Sequence, residues 1–137
     1  MPNKVTCPLR VPVSKRKMFS LNLNQYRNTN YHSLNKAKVE FYKAVYAEVR
    51  RLPKFKKVAV TFTFYPKTRR RVDTSNVCSI TEKFLMDVVV REGRLPDDDY
   101  HHHVKTTYLF GGVDKVNPRV EAVFEQPKIW REHDGAT

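Results

Sequence analysis

The chain has 137 residues and a mass of 16.2 kDa, room for one domain around one core. Hydrophobic residues make up 40% of it, with eight Phe and seven Tyr, enough apolar surface to exclude wholesale disorder. The net charge is +12, and apolar runs such as Val88–Val90 extend to about three residues, far short of the ~20 a membrane-spanning helix needs.

The charge is unevenly placed. Residues 1–72 hold 18 Lys or Arg against Glu40 and Glu48, a balance of +16, while residues 73–137 balance at −4. Such asymmetry points to a polyanionic partner for one region and a separate use for the acids of the other. Nucleic acid leads. An anionic membrane is disfavoured because no basic amphipathic helix with a large apolar face is present. Cys7 and Cys78 are too few for a disulfide framework and read as free thiols of a reducing compartment. No apolar segment follows Lys4 and Arg10, so a secretory signal is not expected.

Residues 1–15, with Pro2, Pro8 and Pro12, read as an extended or flexible basic arm. Lys17–Asn24 alternates Met18, Ser20 and Asn22 against Phe19, Leu21 and Leu23, the pattern of a strand. Gln25–Ser33 is polar and reads as a loop. Over Leu34–Leu52 the spacing of Phe41, Val45, Val49 and Leu52 predicts a helix, which Pro53 stops. Val58–Tyr65 alternates strictly, with Val58, Val60, Phe62 and Phe64 on one face, and is the clearest strand. A basic loop follows. A second helix over Asn76–Glu92 carries the stripe Val77, Ile80, Phe84 and Val88, with Thr74 or Ser75 as cap and Gly93 at its end. Tyr100–Phe110 and Arg119–Phe124 read as two strands joined through Gly111-Gly112 and Asn117-Pro118, hence a hairpin. Ile129 and Trp130 in the tail are placed to dock on the core. The expected fold is α+β: a small mixed β-sheet with two helices packed on one face, in the order β-α-β-α-β-β. The arm covers 1–15, the folded domain 16–126 and a C-terminal tail 127–137.

Three features carry chemistry. Arg69, Arg70 and Arg71 stand immediately before Asp73, which opens a helix. Guanidinium forks suit phosphate oxygens, and a helix N-terminus adds backbone donors. The plainer alternative makes the arginines a solvated loop and Asp73 a helix cap. Asp97, Asp98 and Asp99 are consecutive carboxylates, which suit Mg²⁺ or Mn²⁺ or else form a solvated acidic turn. On the second helix Asn76, Ser79, Lys83 and Asp87 share one face, with Lys83 and Asp87 either a surface ion pair or part of a site.

The ordered set Arg69–Arg71, Asp73, Asn76, Lys83, Asp87, Gly93, Asp97 and Asp98 resembles the RusA-type Holliday-junction resolvases (crossover junction endodeoxyribonucleases) of phages and prophages. Leu21-Asn22-Leu23-Asn24 with Tyr26 and Arg27 resembles the family's first strand and loop, and the resemblance spans roughly residues 17–126. It implies a homodimeric, Mg²⁺-dependent endonuclease that binds four-way DNA junctions and nicks opposed strands symmetrically in recombination and repair, in the cytoplasm of a bacterial host. Carried over, Asp73 and Asp98 are metal carboxylates, Asp97 a further ligand, and Lys83 a catalytic lysine. Ser75, Asn76 and Asp87 support them. Ser75 stands where the family usually has a second acid, and the interval from Asn76 to Asp87 is long, so that matching Lys83 requires about one extra helical turn relative to the shorter family members. As DNA contacts, Lys15, Arg16, Lys17 and Arg27 join Arg69, Arg70 and Arg71.

His101, His102 and His103 raise a rival zinc site, although three consecutive histidines on a strand cannot all converge on one ion. Two further readings compete with the nuclease. One is a non-catalytic structure-selective DNA-binding protein whose metal site is lost at Ser75. The other is an RNA-binding domain that stacks bases on Phe19, Tyr26, Tyr31 and Phe55, without an RNP-like motif. A homodimer of about twice 16.2 kDa matches the two-fold symmetry of a junction, with Tyr42, Tyr46 and Trp130 as candidate interface aromatics.

Overall fold

The computed structural model describes residues 3–127. Its elements are β1 (Asn3–Cys7), β2 (Arg10–Pro12), β3 (Met18–Ser20), α1 (Leu23–Asn28), α2 (Tyr31–Arg50), β4 (Val58–Tyr65), α3 (Thr74–Arg91), β5 (His103–Phe110) and β6 (Arg119–Glu125). The class is α+β, as the residue pattern implies.

β4 anchors the main sheet, whose strand order is β1-β6-β4-β5. Its even alternation buries Val58, Val60, Phe62 and Phe64 and leaves Ala59, Thr61, Thr63 and Tyr65 half-buried on the open face. β5 pairs with it in parallel and β6 antiparallel on its other side. A parallel pair needs a crossover, and α3 supplies it. α3 therefore runs back along the sheet, packed on β4 and β5. Phe84 of α3 stacks on Phe19 at 5.8 Å and meets Phe41 of α2 edge-on at 5.6 Å. On α2 the residues Ala37, Phe41, Val45 and Val49 are buried at intervals of four. Asn30 starts α2 by accepting a hydrogen bond on Oδ1 from the Ser33 N–H at 2.8 Å.

Four expectations are corrected. The arm over 1–15 is built into the fold: β1 pairs with β6 from Asn3↔Phe124 to Cys7↔Val120, burying Val5 and Cys7 completely. β2 and β3 form a second, two-stranded sheet. The strand expected over Lys17–Asn24 ends at Ser20, and Asn22 caps a third helix, α1, which runs from the end of that expected strand into the segment read as loop; the Asn22 Oδ1 accepts from the Gln25 N–H at 2.8 Å. The strand expected from Tyr100 begins at His103, residues 100–102 being a turn. β5 and β6 do not form a hairpin. They flank β4, satisfying the backbone donors and acceptors on both its edges. The connection over residues 111–118 crosses the end of β4, with the Gly111 N–H donating to Phe64 O and the Asp114 N–H to Pro66 O, both at 2.8 Å. Gly111 is required there: a Cβ would lie 2.5 Å from Tyr65 Cε1 and 2.7 Å from Thr63 Cγ2. Ile129 and Trp130 lie outside the described residues.

Candidate functional site

The loop that leaves β4 delivers Arg69, Arg70, Arg71 and Asp73 to the open N-terminus of α3, where all four are exposed. Asp73 holds the N-cap position, and its carbonyl accepts from the Asn76 N–H at 3.0 Å. Its carboxylate makes no capping bond. Asp73 is thus the N-cap residue by position, without the side-chain bond that the capping alternative supposes. Among the described residues none of the three guanidiniums pairs with a carboxylate. Arg70, Arg71, Val72 and Asp73 form a wall between two clefts. One, of about 500 Å³, is completed by Asn22, Asn24 and Asn76. The other, of about 360 Å³, runs past Pro66, Thr68 and Val113 to Phe110.

Asn76 is structural as well as lining. Its Oδ1 accepts from the Leu23 N–H at 2.8 Å, tying the start of α1 to the start of α3. Lys15, Arg16 and Lys17 sit exposed at the tip of the β2–β3 hairpin, closed by the Val13 N–H to Lys17 O bond of 2.9 Å. Three residues of β3, about 10 Å, separate that tip from Leu21 and the asparagine cleft. Arg27 is exposed on α1. Of the cations named from the sequence, Arg70 and Arg71 share the asparagine cleft with Asn22 and Asn24. Ser75 is exposed beside Asp73.

Lys83 and Asp87 lie elsewhere. Lys83 is exposed farther along α3, its Nζ 5.8 Å from the centre of the Tyr26 ring. Ten residues of helix, about 15 Å, separate it from Asp73. Asp87 lines a small cleft with Lys38, Tyr42 and Arg91, and no ion pair joins it to Lys83 among the described residues. Tyr42 donates to Glu92 at 2.7 Å and lies 4.2 Å under the Arg91 guanidinium.

The acidic turn is far from Asp73. β4 and β5 run parallel, so Asp97–Asp99, just before β5, lie at the end of the sheet opposite the arginine loop. The three carboxylates avoid mutual repulsion by facing different donors. Asp97 Oδ1 accepts from the Asp98 N–H at 2.7 Å. Asp99 Oδ1 meets His102 Nδ1 at 2.6 Å, and that bond, ahead of the His101 N–H contact, holds the Asp99 carboxyl below its ordinary value. Asp98 Oδ1 meets His103 Nδ1 at 3.0 Å. Thr106 Oγ1 lies 2.8 Å from His103 Nε2. A neutral imidazole protonated on Nδ1 satisfies both contacts. Glu82 of α3 approaches His103 Nδ1 at 3.8 Å and accepts the Tyr108 hydroxyl hydrogen bond. Burial first, then this bond to Glu82, pushes the Tyr108 phenol well above its ordinary value. Nine residues of α3, about 13 Å, separate Asp73 from Glu82, and Asp98 meets His103 on the same Nδ1 that Glu82 approaches.

One chain therefore does not bring Asp73 and Asp98 together, and among the described residues no group of three His, Cys, Asp or Glu is placed to hold a metal ion. The residues of a single chain do not fit a Mg²⁺ shared by Asp73, Asp97 and Asp98. The histidines diverge too: His101 packs on Tyr100 at 4.2 Å, His102 on Asp99 and His103 on Asp98. The Glu82–His103–Tyr108 association escaped sequence reading because its members come from a helix and a strand with no common spacing. Compared with known proteins, the chain matches no family model and no curated protein sequence. Among the described residues no helix is long and apolar enough to cross a membrane.

Proposed function

We propose that the protein is a divalent-metal-dependent endonuclease of branched DNA, of the RusA-resolvase kind, acting as a homodimer on four-way junctions. The observation that carries the reading is the exposed carboxylate of Asp73, which makes no capping bond, set at a helix N-terminus beside three arginines that have no carboxylate partner among the described residues. Arginines and helix N–H groups hold phosphodiester oxygens. A carboxylate in that setting repels DNA unless it has a task such as cation binding, which opposes plain binding as its purpose. The arginines, with Lys15–Lys17 and Arg27, supply the backbone contacts that position DNA without reading its sequence.

A second reading, a non-catalytic structure-selective DNA-binding protein, is favoured by the separation of Asp73 from Asp98 along α3. A labelled four-way junction separates the two. The nuclease reading expects cleavage with Mg²⁺, none with chelator, and loss of cleavage with retained binding in Asp73→Asn. Tight binding without cleavage at any Mg²⁺ or Mn²⁺ concentration supports the second reading.

A further inference from the structure

We infer that the loop after α2, together with the exposed cations of α2 and α3, is a second DNA contact, which holds a duplex arm one helical turn away from the arginine loop. This contact deepens the proposed function and rests on its DNA, not on cleavage.

Between α2 and β4, Arg51, Lys54 and Lys56 are exposed and Lys57 is half-buried, and none of the four meets a carboxylate among the described residues. The backbone that carries them is pinned. Leu52 and Phe55 are buried, and Phe55 stacks on Phe124 at 6.3 Å. The Phe55 N–H donates to Arg94 O at 2.8 Å, and the Val58 N–H to His102 O at 2.7 Å. These inward anchors fix the outward direction of the cations between them. Asp97, Asp98 and Asp99 stand near the same end, but they face the Asp98 N–H, His103 and His102. Like charges so close along the chain repel one another in a protein of net charge +12, whereas an ordinary surface mixes the signs. A polyanion relieves that repulsion.

The spacing of the cations selects a duplex as the polyanion. α2 and α3 run side by side in one direction, Phe41 meeting Phe84 and Arg50 meeting Glu92, so the arginine loop lies at the start of α3 and the lysine loop beside its end. Along the helices Lys38, Lys83 and Arg91 are exposed and likewise have no carboxylate partner among the described residues. Lys38 and Arg91 outnumber Asp87 in the cleft they share. Lys83 lies over the Tyr26 ring at 5.8 Å and Arg91 over the Tyr42 ring at 4.2 Å. With one ring face under Arg91 and its hydroxyl given to Glu92, Tyr42 is committed within the fold, which opposes base stacking by a single strand. Lys57 and Lys67 bracket the extended strand β4, about 33 Å apart at about 3.3 Å per residue. One turn of duplex DNA is about 34–36 Å long, after which a strand brings its phosphates back to the same side. The lysine loop and the arginine loop therefore match one side of a single arm.

Binding measured in chelator, where no strand is cut, tests this contact apart from catalysis. Two labelled four-way junctions are compared by fluorescence anisotropy, one with arms of about 16 bp and one with arms of about 6 bp closed by short loops, too short to span a helical turn. Lys54→Ala/Lys56→Ala/Lys57→Ala should keep the native melting curve. On the long arms it should lower the slope of log K against log salt by about 2.7, three contacts at about 0.9 each, or about forty-fold in relative affinity between 50 and 200 mM. On the short arms the native protein and the variant should have equal slopes. Lys54→Arg/Lys56→Arg/Lys57→Arg, which keeps the charges, should retain the native slope on both. Hydroxyl-radical footprinting of the native complex should show two protected stretches about ten nucleotides apart on one strand, the outer one missing with the alanine variant. Equal slopes for native protein and alanine variant on the long arms, or an equal reduction on both arm lengths, overturns the contact. Polyglutamate that displaces the junction as readily as unlabelled junction of equal charge overturns the choice of a duplex. A slope that falls when Arg69, Arg70 and Arg71 are replaced by Ala, but not in the lysine variant, refutes this contact and leaves the proposed function standing. The expected dependence on arm length, with no cleavage by the native protein in Mg²⁺, keeps the contact and refutes the nuclease. Failure of the native protein to bind either junction refutes both.

Discussion

Replacing Arg69, Arg70 and Arg71 together by Ala removes three exposed guanidiniums that have no carboxylate partner in the described fold. Stability should hold, since exposed side chains without such partners change it by only about 0.5 kcal/mol each. Binding should not hold. Each phosphate neutralised contributes about 0.9 to the slope of log K against log salt on duplex DNA, so three contacts contribute about 2.7. Between 50 and 200 mM salt that difference amounts to about forty-fold in relative affinity. Fluorescence anisotropy of a labelled four-way junction, titrated at four or five salt concentrations, measures both slopes directly. A slope in the triple variant equal to that of the native protein, with the melting temperature unchanged, refutes the placement of DNA at the N-terminus of α3.

Other consequences follow from the packing. Gly111→Ala forces a Cβ to within 2.5 Å of Tyr65, whose ring is held from another side by Arg119 Cζ at 4.0 Å; a loss of about 1–3 kcal/mol should appear in urea unfolding. Asn30→Ala, which deletes a cap bond, should cost about 1 kcal/mol, and Asp73→Ala should cost less because its carboxylate makes no such bond. The Tyr42 hydrogen bond, then Arg50, lowers the Glu92 carboxyl from 4.5, and the same Glu92 bond raises the Tyr42 phenol from 10.0. The depressed carboxyl stabilises the fold above pH 4.5 and loses that contribution as pH falls through its folded value; the raised phenol stabilises it below pH 10.0 and loses that as pH rises through its own. The melting-temperature difference between the native protein and Glu92→Gln should therefore be largest between those limits and shrink outside them.

The longest periodic segments were legible in the sequence. β4 is found at the residues its alternation indicates, and α2 and α3 differ from expectation by two or three residues at their starts, because eighteen or twenty residues of stripe outweigh local ambiguity. The short elements were not. β1 has five residues and owes its place to partners near residue 120, and α1 has six residues with a cap that doubles as the end of an apparent strand. Pairing across the sheet, rather than local pattern, decides such segments. At the site, Arg69–Asp73 was legible because its members are contiguous. The separation of Asp73 from Asp98 follows from the parallel β4–α3–β5 crossover, which sends the two ends of the helix to opposite ends of the sheet. Reading Tyr100–Phe110 and Arg119–Phe124 as a hairpin concealed that consequence.

The most direct test of the central claim is cleavage of a four-way junction, labelled on one strand at a time, beside a linear duplex of the same sequence. With Mg²⁺ the native protein should nick two opposed junction strands at symmetric positions and leave the duplex intact, and chelator or Asp73→Asn should abolish the nicks. An intact junction in the presence of Mg²⁺, under conditions where anisotropy shows it bound, would contradict the nuclease account.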